Sequence, residues 1–199
     1  LSELEHRFVE GDPELPVLLL LHGTGGGPDD LLGLVDHLSP GSATLAPAGP
    51  VSENGMARWF RRLAEGVFDF EDVLVRAHQL ADFVEGARER YGLGERRIVA
   101  VGFSNGANIA AAVTLVRPDA LREAVLFAGM TPLPDPPLLD LSASRVFLAN
   151  GQRDPMAPLA SADRLAGLLG ERGASVTRSL HPGGHQITAD GLAAAREWL

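Results

Sequence analysis

The sequence predicts an α/β fold, with a mostly parallel sheet of about seven strands flanked by helices in one compact domain spanning residues 1–199. Three observations predict it. Short aliphatic runs alternate with amphipathic stretches along the chain, the pattern of repeated strand–helix units. Several runs are continuously apolar, as strands covered on both faces are. No internal repeat and no linker divides the chain, and 199 residues suffice for one core burying about 70% of the unfolded surface.

Taken in order, Glu5 to Val9 suits a short edge strand, and Val17 to Leu21, between Pro16 and a glycine cluster, suits a fully buried one. Asp29 to Leu38 reads as a short helix with Leu31, Leu34, Val35 and Leu38 on one face. Ala43 to Ala46 is a strand stopped by Pro47, and a loop is expected from there through Gly55. The clearest helix is Glu71 to Tyr91, where Val73, Ala77, Leu80, Val84, Ala87 and Tyr91 form one stripe. A strand at Arg97 to Val101, a helix at Asn105 to Val116 and a strand at Ala124 to Phe127 follow. Gly129 to Ser144 holds Pro132, Pro134, Pro136 and Pro137, so it reads as an irregular, stiff excursion rather than a moving lid. A strand at Arg145 to Ala149, a helix at Leu159 to Arg172, a strand at Ser175 to Leu180 and a helix from Ala189 complete the prediction.

Composition removes several functions. A net charge of −9 opposes the positive field that nucleic-acid binding needs. All 17 basic residues are arginine, which excludes lysine Schiff bases and the P-loop lysine. With no cysteine, disulfides, thiolate nucleophiles and cysteine-ligated zinc drop out. The longest aliphatic run, Val17 to Leu21, is far below the ~20 residues of a spanning helix, so stable membrane insertion is not expected. The charged start is unlike a secretory signal and makes the cytoplasm the expected compartment, while an opening Leu1 leaves a trimmed leader open.

Gly102-Phe103-Ser104-Asn105-Gly106 has the form G-x-S-x-G, between a predicted strand and an alanine-rich helix. A serine on so sharp a turn is held in a strained conformation above the sheet edge, at a helix N-terminus. The glycines two before and two after let the backbones meet. A serine nucleophile needs a base held by a third group, in the order serine, acid, histidine. Only His181 and His185 follow Ser104. His185 sits in the flexible Pro182-Gly183-Gly184 loop, whereas His181 ends the last strand. The acid should follow the penultimate strand, which selects Asp154. Asp135 and Asp140 precede that strand, and Asp163 falls within the next helix.

Two backbone N–H groups must face the developing oxyanion. Asn105 supplies one, and Thr24 in the glycine-rich loop His22-Gly23-Thr24-Gly25-Gly26-Gly27 supplies the other, with His22 as a brace. Dinucleotide binding by this loop fails, because Pro28 takes the last glycine's place and no acid ends the next strand. A metal on His181 and His185 also fails, because Pro182, Gly183 and Gly184 preclude a shared helix face. No cofactor is expected.

Leu-His-Gly-Thr-Gly-Gly at 21–26, the serine motif, Gly-Gln-Arg-Asp-Pro at 151–155 and His-Pro-Gly-Gly-His at 181–185 together resemble the phospholipase/carboxylesterase family of small α/β-hydrolases. The resemblance spans nearly the whole chain. It implies the α/β-hydrolase fold, hydrolysis of small carboxylic esters through an acyl-enzyme, and a homodimer. Glu53 to Phe60 resembles the loop bordering the family's substrate site. Met56, Trp59 and Phe60 are therefore expected to line the acyl pocket, with Met130 and Phe103. The family's acyl-protein thioesterase branch carries glutamine and two glycines after the nucleophile. Asn105, Gly106 and Ala107 stand here instead, which points away from protein depalmitoylation. A short-acyl carboxylesterase is the leading reading. A thioesterase or lysophospholipase-type hydrolase, and a non-catalytic binding protein on this fold, remain the alternatives.

Overall fold

A computed structural model describes residues 3–64 and 66–199; Glu65 and the first two residues, on which the reading of the chain's start rests, lie outside the described residues. In chain order the elements are β1 (His6–Val9), β2 (Val17–Leu21), a 3-10 turn (Leu32–Leu34) running into α1 (Val35–Leu38), and β3 (Ala43–Pro47). Two small hairpins follow, β4 (Val51–Glu53) with β5 (Met56–Arg58) and β6 (Arg62–Ala64) with β7 (Val67–Phe68). Then come α2 (Phe70–Arg90), β8 (Ile98–Phe103), α3 (Asn105–Val116) and β9 (Glu123–Phe127). The chain continues through β10 (Arg145–Gly151), α4 (Leu159–Glu171), β11 (Ser175–His181) and α5 (Ala189–Trp198).

Seven strands form one sheet in the order β1-β3-β2-β8-β9-β10-β11. β1 pairs antiparallel with β3, and the other neighbours are parallel. The period-2 alternation of side chains divides β2 between two cores. Val17, Leu19 and Leu21 join the cluster holding residues of α2, α3 and α4, while Leu18 and Leu20 face α1 and α5 on the other side. All of α3 is buried, which suits its Ala-rich sequence. Asp69 caps α2 by accepting the Asp72 N–H, and Val73, Ala77, Leu80, Val84 and Ala87 are buried along its inner stripe. Among the described residues no helix is long and apolar enough to cross a membrane.

Two expectations are corrected. The helix expected over 29–38 shrinks to the 3-10 turn and one α turn. Gly33 lies at its centre, and so short a helix cannot repay its nucleation cost. The stretch expected to be a loop through Gly55 is a hairpin instead. Asn54 and Gly55 adopt φ of 51° and 80° between β4 and β5, as a tight primed turn requires. The proline-rich segment 129–144 carries no helix or strand, as expected. Arg172 fastens it to the fold through the Pro136 carbonyl at 2.7 Å and that of Pro137 at 3.0 Å.

Candidate active site

Parallel strands of an open α/β sheet deliver their loops to one edge, and ligands bind beyond the strands' carboxyl ends. β8, β10 and β11 bring Ser104, Asp154 and His185 to that edge. Ser104 follows β8 directly and opens α3, with φ 54° and ψ −115°. L residues avoid that region, so the backbone there is strained. The flanking glycines have separate reasons. A Cβ on Gly102 would lie 2.6 Å from the Gly106 carbonyl oxygen, whereas one on Gly106 would lie 1.9 Å from the Leu21 carbonyl oxygen of β2. The turn is thus wedged against the neighbouring strand, and the Ser104 N–H donates to Phe127 O at 2.9 Å.

His185 lies between the other two residues. Its Nδ1 is 2.7 Å from Asp154 Oδ2, and its Nε2 is 2.8 Å from Ser104 Oγ. The other carboxylate oxygen, Oδ1, accepts the N–H groups of Met156 at 2.8 Å and Ala157 at 2.9 Å. An ionised Asp154 can only accept, so Nδ1–H donates to it and Nε2 is left to accept the serine proton. The Asp154 side chain is fully buried, so its charge is not shared with solvent. The loops after β10 and β11 are stitched together, the Arg153 N–H donating to Gly183 O at 3.0 Å. His181 instead accepts the Gly183 N–H at its Nδ1 and lies outside this run. Asp163 pairs with Arg178.

A cavity of about 590 Å³ opens over Ser104 and His185, bordered also by Thr24 and Asn105. Among the described residues the backbone N–H groups of Thr24 and Asn105 have no hydrogen-bond partner, the latter as a first-turn amide of α3. His22 braces this loop: Nδ1–H donates to Gly23 O at 2.7 Å and Nε2 accepts the Gly49 N–H at 2.9 Å.

Met56 and Met130 border the cavity. Trp59 and Phe60 do not, being 1% and 0% exposed within the core. As residues directly after β5 they are turned inward, and Trp59 holds the site from beneath. Its indole N–H donates to His22 O at 2.8 Å and its backbone N–H to Asn105 Oδ1 at 2.7 Å. Phe103 packs on the α1 and α5 side, its ring centroid 5.2 Å from that of His185. Arg58, inside the Glu53 to Phe60 stretch but not singled out from the sequence, also borders the cavity, as do Arg62, Phe68 and the Pro155–Pro158 segment, which the sequence did not point to as lining. The Asn54-Gly55 turn signal was available and sets the register that carries Arg58 there.

The phospholipase/carboxylesterase family model matches residues 8–199. The chain belongs to that family. The Bacillus subtilis (strain 168) protein MhqD, named a hydrolase, is 41% identical over 195 residues, covering 98% of this chain and 97% of the relative. The crystal structure of the Bacillus cereus carboxylesterase superposes with a TM-score of 0.95 at 42% identity, covering 99% of this chain and 93% of that one. A Mesorhizobium loti carboxylesterase gives a TM-score of 0.90 at 28% identity, over 97% of this chain and 92% of its own. The sheet described above is accordingly that of an α/β-hydrolase, and the chain is a member of a carboxylesterase and hydrolase family.

Proposed function

We propose that this family member is a serine carboxylesterase that cleaves small, short-acyl esters through an acyl-enzyme. One observation carries the reading: an unbroken hydrogen-bonded run from Asp154 through His185 to Ser104, at 2.7 and 2.8 Å, ending in an open cavity. In the first half-reaction Ser104 Oγ attacks the ester carbonyl while His185 Nε2 takes its proton, and Asp154 holds the imidazolium that results. The oxyanion of the tetrahedral intermediate is received by the Thr24 and Asn105 N–H groups, with the N-terminal dipole of α3 adding to the field. His185 returns the proton to the departing alkoxide, and the alcohol leaves. In the second half-reaction water attacks the acyl-enzyme by the same proton path, releasing the acid and restoring Ser104.

Labelling by a fluorophosphonate probe tests this reading, because only an activated serine reacts. Wild type should label stoichiometrically and hydrolyse p-nitrophenyl butyrate, and Ser104→Ala should do neither, its kcat falling by roughly 10⁶. A Ser104→Ala protein with a tenth of wild-type turnover would remove the assignment. An unlabelled, inert wild type would favour a binding role on this fold.

A further inference from the structure

We propose that Arg58 and Arg62 form a carboxylate-recognition subsite inside the cavity, so that the preferred esters carry a free carboxylate a few bonds from the scissile carbonyl. The inference rests on the esterase reading above and names its substrate class.

The chain as a whole carries −9, so a positive lining to this cavity does not follow from a generally basic surface. Among the described residues that border the cavity, Arg58 and Arg62 are present and no carboxylate is. Arg58 is 4% exposed, and a buried guanidinium is costly unless its donors and charge are answered. Its donors are only partly committed. Nε donates to Phe60 O at 3.2 Å and Nη1 to Thr24 Oγ1 at 2.8 Å. Among the described residues Nη2 has no hydrogen-bond partner, and Arg58 borders the cavity. Among the described residues Arg62 likewise commits only Nε, to Glu53 Oε1 at 2.7 Å.

Glu53 serves both, its Oε2 lying 3.4 Å from Arg58 Nε. Among the described residues one carboxylate faces two guanidinium groups, which leaves one positive charge over beside the buried Arg58 side chain, where charge is felt strongly. Burial, and then Arg62, hold the Arg58 guanidinium below the ordinary arginine range, so an entering anion relieves an existing cost. Planar guanidinium forks suit a carboxylate. The spacer must be short. Arg58 touches the side chain of Thr24, the residue whose backbone N–H is half of the proposed oxyanion hole.

The test compares two esters of matched shape, monoethyl glutarate and ethyl 5-oxohexanoate, in which a methyl ketone replaces the carboxylate. Wild type should favour the half ester by about tenfold or more in kcat/KM, a preference that weakens with added salt. In Arg62→Gln the ratio should fall towards one, and reading a ratio within each variant cancels any general loss of activity. Arg58→Met should do the same, with Arg62→Gln deciding if that variant does not fold. A wild-type ratio near one, or an unchanged ratio in Arg62→Gln, would overturn the subsite.

Calorimetric titration of glutarate into Ser104→Ala separates this inference from the esterase reading. Binding that Arg62→Gln weakens tenfold or more supports the subsite even if neither ester turns over, in which case only the esterase reading fails. Turnover of both esters without preference, and no glutarate binding, leaves an esterase without the subsite.

Discussion

At Ser104 the conformation that exposes the hydroxyl also carries strain. A non-glycine residue at φ 54° and ψ −115° costs about 1–3 kcal/mol, whereas glycine's extra unfolded-state entropy costs about 0.5–1. The strain term is the larger, so Ser104→Gly should be more stable than Ser104→Ala by about 1 kcal/mol, or roughly 2–4 °C in Tm by calorimetry. Equal midpoints would mean the turn relaxes without its side chain. Asp154 gives a second prediction. Its two oxygens answer different partners, Oδ1 the Met156 and Ala157 N–H groups and Oδ2 the His185 Nδ1–H. Asparagine has one oxygen. Held by the two backbone donors, it turns its NH₂ towards Nδ1, moving the imidazole proton to Nε2 where it faces Ser104. Asp154→Asn should therefore lose roughly 10⁴ in kcat while labelling weakly at best; a loss under tenfold would show that His185 is oriented by something else. Ser104, Asp154 and His185 were legible in the sequence because each is announced by local chemistry: a glycine-flanked serine, an acid after a buried strand and a histidine in a glycine loop.

The hairpin of β4 and β5 shows where local chemistry stops being enough. Met56, Trp59 and Phe60 look equivalent in the sequence, as apolar residues in one short segment. Their separation needs the register set at Asn54-Gly55, which leaves Met56 39% exposed at the cavity and sends Trp59 and Phe60 into the core. Burial of those two depends on α2 and α3 lying beneath, a long-range fact that no spacing encodes. Arg58, by contrast, is placed by that register alone, which the Asn54-Gly55 turn announces. The consequence is that this segment ties both proposed oxyanion donors. Gly25 N–H donates to Ala57 O at 2.8 Å, Arg58 reaches Thr24, and Trp59 holds His22 O and Asn105 Oδ1. Trp59→Phe keeps most of the packing but frees the His22 carbonyl. It should lower kcat by about tenfold with KM within about twofold, because a loosened oxyanion loop is felt in the transition state. A KM effect with kcat unchanged would assign Trp59 to substrate binding instead.

The whole molecule closes its sheet at the edge opposite the site. Glu123, at the start of β9, accepts from Arg97 Nε at 2.9 Å and Nη2 at 2.7 Å and from Arg145 Nη1 at 3.2 Å, joining three neighbouring strands. Arg145 also donates to Trp198 O at 2.6 Å and lies 4.4 Å over its ring, which pins α5. Hydrogen bonding to Arg97 holds the Glu123 carboxyl below the usual carboxylate range. A carboxyl that ionises more readily folded than unfolded adds stability that is complete above its unfolded pKa of about 4.3 and is lost as pH falls through the folded value. Glu123→Gln should thus cost about 1–2 kcal/mol in urea unfolding at pH 7, and the difference should shrink below about pH 4.5. At the edge that carries the proposed site, the esterase reading makes the cavity the limit on substrate size. Its volume of about 590 Å³ lies in the ordinary range for small-molecule sites, and acyl chain and alcohol must share it. Met56, Phe68, Met130 and Met156 offer apolar wall, but Arg58 and Arg62 interrupt it. The segment 129–144 contributes only Met130 to the lining and is strapped down through Arg172. Each methylene that fits should add about 0.8 kcal/mol, about fourfold in kcat/KM, until the apolar stretch is filled. On p-nitrophenyl esters from acetate to palmitate the rise should therefore end at about six carbons, with no activation at lipid interfaces. A maximum at ten carbons or longer would mean that the segment 129–144 swings away to open a channel, and that its four prolines do not hold it as a fixed wall.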